Sequence, residues 1–204
     1  ALILELQRTA IQIGITAKQT IDTNISNHDL DQKIYAIHQL SSAVSSYIVN
    51  LERAALSDEV TKQLSNLMKV DQYFLACAGI LSTALETRTR LGKLPNITLE
   101  KELQTYRDNA CKFLNSVTSP DSELYFEKLE NTYHQLKSDR DVLKEHMLTT
   151  GTKGLISLDQ MINAIDFITE IKQLNEHWYK AIKILAHLEN ETRKDVSDVE
   201  ELSD

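Results

Sequence analysis

The sequence predicts an all-α fold, a six-helix up-down bundle, and three observations predict it. Apolar residues recur at spacings of three and four nearly from end to end. Only 5 Gly and 2 Pro occur in 204 residues, against average usage of roughly 7% and 5%, so turns are few and helices long. No stretch shows the β-branched alternation of a strand. A hydrophobic content of 42% with 25% charged residues is that of a folded chain and not of a disordered one.

The breakers divide the chain into six segments. The first, about residues 2–23, places Leu6, Ile13 and Ala17 on one face and closes at the polar TNISNHD. The second, about 29–55, carries Ile34, Ile37, Leu40, Val44, Tyr47, Ile48 and Leu51 at helical spacing. Ser57 is the expected N-cap of the third, with Asp58 and Glu59 favouring the positive end of its dipole. That segment runs to about residue 90 and stops at LGKLPN, where Gly92 and Pro95 form the clearest break. Thr98 is expected to cap the fourth, which reaches about residue 117. Ser119-Pro120-Asp121 opens the fifth, which continues to Leu148, since proline suits a first helical turn. TTGTKG, with Gly151 and Gly154, is a turn. The sixth reaches about residue 191 with Leu158, Ile162, Ile165, Ile168, Leu174 and Ile182 on its apolar positions. Residues 192–204 read as an acidic, disordered tail. The loop pattern of the first half recurs in the second, which gives two three-helix units, residues 1–95 and 96–191.

A net charge of −8 and a pI near 5.3 exclude nucleic acid as an expected partner and disfavour direct binding to anionic lipid, because both need a basic field. Cys77 and Cys111 sit inside helical patterns, which points to a reducing cytosol and not to a disulfide scaffold. No window approaches the roughly 20 apolar residues of a membrane span. The sequons at Asn24, Asn96 and Asn190 are weak signals without a signal peptide. The opening ALILELQ, apolar and without Met, is the pattern expected of a segment taken from a longer polypeptide.

One stretch concentrates chemistry: EIKQLNEHWYKAIKIL, residues 170–185, which holds the chain's single tryptophan, Trp178. On a helix Glu170, Gln173 and His177 share a stripe, with Glu176 beside them. That is the residue mix of a metal site or of an acid/base pair. Dimetal carboxylate bundles require Glu-x-x-His on two helices, yet the residues three before the six histidines are Ile25, Tyr35, Asn131, Leu143, Leu174 and Ile184. There is no H-E-x-x-H, C-x-x-C, G-x-S-x-G or phosphate-cradling glycine loop. His134 and His146 read as surface residues and His38 as a histidine at the edge of the core. The small residues Ala76, Cys77, Ala78 and Gly79 read as a site where a neighbouring helix approaches closely.

The two three-helix units resemble the PhoU family of phosphate-responsive regulators. SSYIVNLERAALSDEVTKQLSNLMKVDQYFLACAGILSTAL, residues 45–85, is most similar to the PhoU-type domain attached to bacterial sodium/phosphate cotransporters. In that family each third helix carries a pattern like D-L-E-R-I-G-D-H-A, whose Glu-x-x-x-Asp pair binds a metal cluster. The first motif falls on residues 71–79, with Tyr73 at the glutamate position and Cys77 at the aspartate position. The second falls on residues 170–178, with Lys172 at the glutamate position while Glu176 and His177 keep the carboxylate and the histidine. The string LER at residues 51–53 lies on the second helix and is a decoy, since Leu56 stands four residues after Glu52. A cluster of hard cations wants several convergent carboxylates. No metal cofactor is therefore expected, and Glu176 with His177 is the residual candidate. Lys172 is expected to pair with Glu176 at i, i+4.

The resemblance implies a non-catalytic regulatory or interaction domain at the cytoplasmic face of the cell membrane, acting in phosphate transport or its control. Its partners would be the membrane part of the same polypeptide, a phosphate-signalling protein or a second copy. Two other readings carry different expectations: a free-standing PhoU-like regulator, or a metal-dependent protein using Glu170, Gln173, Glu176 and His177.

Overall fold

The structure, a computed structural model, describes residues 2–23, 25–52, 57–116 and 123–201, and for residues 52, 123–125 and 192–201 it describes the backbone alone. The described residues form six helices and no strand: α1 Leu2–Ile21, α2 Asn27–Glu52, α3 Asp58–Leu91, α4 Ile97–Leu114, α5 Glu123–Thr152 and α6 Leu158–Glu201. None is long and apolar enough to cross a membrane.

Local chemistry sets the helix ends. Ser57 caps α3 as its position predicts, its hydroxyl accepting from the Val60 amide at 3.4 Å, and α3 ends where Gly92 takes φ +61°. The cap of α4 is Asn96 and not Thr98. The Asn96 side chain accepts from the Leu99 amide at 3.0 Å, and the Leu94 amide is taken by the Glu100 carboxylate at 2.9 Å, so the chain turns helical before Thr98 is reached. α5 outruns its expected end at Leu148 by passing through Gly151 to Thr152; Gly154, at φ +68°, is the residue that turns the chain. α6 passes residue 191 and runs to Glu201, with no Gly or Pro to stop it, so its backbone takes in ten residues assigned to the disordered tail. Ser119-Pro120-Asp121, Arg53 and Leu56 lie outside the described residues, as does the side chain of Glu52.

α3 and α6 run antiparallel and make the most extensive helix pair. Among the described residues α1 packs on α2, α3, α4 and α6, whereas α2 touches only α1 and α3. α4 and α5 pack on each other and on α6. One continuous core results, built from Leu6, Ile13 and Ala17 of α1, Val70, Phe74, Ala78 and Leu81 of α3, Phe113 of α4, and Phe167, Ile171, Leu174 and Trp178 of α6.

α1 is held by two devices. At Gly14 it passes so close to the end of α4 that a Cβ would overlap the Leu114 carbonyl oxygen, and the Asn115 side chain donates to the Gly14 carbonyl at 3.1 Å. At its C-terminus, where carbonyls lack intrahelical partners, two arginines take over. Arg88 of α3 donates to the carbonyls of Thr20 at 2.8 Å, Asp22 and Thr23. Arg107 of α4 donates to those of Ile21 at 2.8 Å and Asp22 at 3.1 Å.

Four apolar or small positions face solvent against expectation. Tyr47 lies off the inner stripe of α2, made by Leu30, Ile37, Val44 and Ile48, and is exposed; His38 beside Ile37 is exposed as well. Gly79 is exposed with open space where its Cβ would be, so of the four small residues only Cys77 and Ala78 are fully buried. Leu158 and Ile162 keep the helical period of α6 but stand in solvent, because they precede the point where α3 covers it.

Candidate functional site

The two stretches singled out by sequence meet across the α3–α6 pair. Helical geometry dictates the meeting: Tyr73 and Cys77 are one turn apart on α3, as are Leu174 and His177 on α6, and antiparallel packing sets them opposite each other. The Tyr73 and His177 rings lie 5.7 Å apart, tilted by 36°. The Cys77 thiol is fully buried and donates to the Leu174 carbonyl at 3.8 Å. Burial pushes that thiol far above its ordinary pKa.

Glu176 lies between two ammonium groups. Lys180 Nζ is 2.8 Å from one carboxylate oxygen and Lys172 Nζ 3.2 Å from the other, both at four-residue spacing. The hydrogen bond from Lys180, with the contribution of Lys172, holds the carboxyl below its ordinary range against partial burial. Lys180 also rests over the Tyr73 ring, 5.9 Å from its centroid. The neighbouring His177 has a buried Nδ1 with no partner among the described residues. Burial, helped by Lys180 and opposed by Glu176, lowers its pKa and keeps the imidazole neutral near neutral pH.

The four candidate ligands Glu170, Gln173, Glu176 and His177 do not converge. Glu170 lies along α6 beside Thr87 of α3, one carboxylate oxygen 3.0 Å from the Thr87 hydroxyl and the other buried with no partner among the described residues. Burial raises its pKa, opposed by the Thr87 contact. Gln173 is exposed. Among the described residues no group of three or more His, Cys, Asp or Glu side chains is placed to hold a metal ion. The donor set explains why: Cys77 is a buried thiol hydrogen-bonded to backbone, and Lys172 is an ammonium already paired with Glu176. These residues do not fit a cluster of hard cations.

Trp178 is the packing anchor of this face. It is fully buried and meets Phe113 of α4 edge-on, centroids 5.1 Å apart and planes at 63°. Phe113 continues to Tyr133 of α5 at 6.2 Å, and Tyr133 stacks on Tyr179 at 4.4 Å. Tyr179 donates to Glu130 at 3.0 Å. The members of this aromatic run lie on three helices, so no local spacing announces it. Asp71 of α3 is a buried carboxylate that accepts from Ser41 of α2 at 2.7 Å, and burial raises its pKa. His146 is on the surface as expected, paired with Glu102 at 2.9 Å, and His134 is exposed.

The site as a whole is a packed helix seam: one ion-paired carboxylate, one neutral imidazole and one inert thiol. No activated nucleophile stands beside a base among these groups. No protein-family model matches the sequence, and no curated protein matches it.

Proposed function

We propose that the chain is a non-catalytic regulatory or interaction domain of the PhoU-like kind, one that serves a sodium-dependent phosphate transporter at the cytoplasmic face of the membrane. The observation that carries this reading is the pairing across α3 and α6. The third and sixth helices make the most extensive helix contact, and across it Tyr73 faces His177 and Cys77 faces Leu174. The contacts of α1, α2 and α3 with one another, and of α4, α5 and α6 with one another, support the two-unit layout.

In this reading the metal-binding role of the motif helices is replaced by packing, and the domain acts through its surface. The membrane part of the same polypeptide is the partner, and the domain couples phosphate supply to transport. Two measurements test it. Deleting the domain from the full-length gene product is expected to change sodium-dependent phosphate uptake as external phosphate is varied; uptake identical to that of the intact protein under every condition would sink the proposal. Protein purified without chelator is expected to carry no stoichiometric manganese, iron or zinc. One equivalent or more, lost on Glu176→Gln, would favour the metal-dependent reading instead.

A further inference from the structure

The joint between α2 and α3 has a polar pair at its centre. The inner stripe of α2, Leu30, Ile37, Val44 and Ile48, is interrupted by Ser41, which is buried with them. Opposite it on α3, among the buried Leu67, Val70 and Phe74, stands Asp71, only 5% exposed. Its Oδ2 accepts from the Ser41 hydroxyl at 2.7 Å and from Ser45, one turn further along α2, at 3.5 Å. No cation balances this carboxylate among the described residues. Between Lys33 and Glu52 α2 carries no Lys, Arg, Asp or Glu. His38 and Tyr47 of α2 and Lys69 of α3 are exposed, and Tyr73 faces His177. On α6 Lys172 and Lys180 are taken by Glu176. On α1, which packs on both helices, Glu5 and Arg8 bind each other and Lys18 is exposed.

We propose that Asp71 is a proton-sensitive latch: proton uptake by its carboxyl seals α2 onto α3, and ionisation loosens α2. A buried carboxylate without a cation carries a desolvation cost that two hydroxyl groups offset only in part. The closed joint therefore favours the acid form. Burial accordingly raises the pKa of Asp71 above its ordinary value, opposed by Ser41 and then by Ser45. When α2 opens, the carboxyl meets water and returns to that ordinary value. The latch is thus fully set below the ordinary value and is released as pH rises through the raised one. α2 is the element placed to respond, because among the described residues it rests on α1 and α3 alone. The device is independent of the transport reading above.

Native-state hydrogen exchange read by mass spectrometry tests the latch, with the chemical exchange rate divided out at each pH. The quantity followed is the opening constant of α2, from peptides within residues 30–50. Between pH 7.5 and pH 4.5 it is expected to fall in the wild type by about fivefold or more relative to Asp71→Asn, whose amide carries no charge at either pH. At pH 7.5 Asp71→Asn is expected to hold α2 more tightly than the wild type does. Ser41→Ala keeps the carboxyl and removes its closest donor. It is expected to open more at pH 7.5 and to steepen the pH dependence, and it decides the matter if Asp71→Asn does not fold. His177 titrates in the opposite sense and is common to all three proteins, so it cancels in the comparison. The proposal is overturned if α2 opens with the same pH dependence in the wild type and Asp71→Asn, or if Ser41→Ala leaves that dependence unchanged. It is also overturned if Asp71→Asn loosens α2 at pH 7.5, or if acid protects α6 and not α2.

Discussion

Glu176 carries one negative charge between two ammonium groups, and its neighbour His177 is held neutral against a tyrosine ring. This arrangement has a pH signature. Because the folded pKa of His177 lies below the ordinary 6.5, the unfolded chain binds this proton more readily than the folded one. Its contribution is therefore fully present above the ordinary value and is lost as pH falls through it toward the lowered folded value. In urea unfolding from pH 7.5 down to 5, His177→Gln is expected to lose less stability than the wild type; parallel profiles would show that the imidazole is not desolvated. The thiols offer a second check. Cys77 is fully buried, and burial pushes Cys111 up to about 12, so neither is a thiolate at neutral pH. Both are expected to resist a disulfide reagent at pH 8 in the native protein and to react fully in denaturant, and rapid native labelling of Cys77 would contradict its place at Leu174. At this scale the sequence revealed what lies within one turn of helix: the Lys172–Glu176 pair follows from four-residue spacing and is present at 3.2 Å. It hid what depends on the fold. Arg88 and Arg107 meet the end of α1 from 68 and 86 residues away, and no local pattern announces them.

Glycine shows how an element's neighbours decide a residue's meaning. Gly14 and Gly79 both lie inside helices and both look like weak points by propensity alone. At Gly14 the backbone of α4 occupies the space a Cβ needs, while at Gly79 the space is open. Gly14→Ala is therefore expected to destabilise by about 1–3 kcal/mol through overpacking, and Gly79→Ala to stabilise by about 0.5–1 kcal/mol through helix propensity and a less flexible unfolded chain. Chemical denaturation of the two variants checks the pair, and equal shifts of the same sign would refute the close α1–α4 crossing. The same logic explains what was legible in the elements themselves. All six helices follow from periodicity and breakers, but their ends follow from side-chain chemistry that competes locally. Asn96 takes the cap from Thr98 because it stands first in line with a free amide to satisfy. Gly151 stays helical because the turn needs a positive φ only at Gly154.

At the scale of the whole molecule the first three helices and the last three are not separable bodies, because the largest helix contact, α3 with α6, joins the two sets. Periodicity could show six amphipathic segments but not which faces meet, since each apolar stripe is equally compatible with several partners. The shared seam predicts one cooperative unfolding transition. Trp178 reports on it from α6, buried against Phe113 of α4, while circular dichroism reports on all six helices. Phe74 lies on α3, among the first three helices, and is almost fully buried. Phe74→Ala is expected to cost about 3–5 kcal/mol and to move the Trp178 fluorescence transition and the helical transition together. If the first three helices unfolded separately from the last three, the same substitution would shift the circular dichroism curve in its early part and leave the tryptophan transition where it was. Coincident curves would place the α3–α6 seam, with Tyr73 and Cys77 on one side and Leu174 and His177 on the other, within the structure that all six helices need in order to fold.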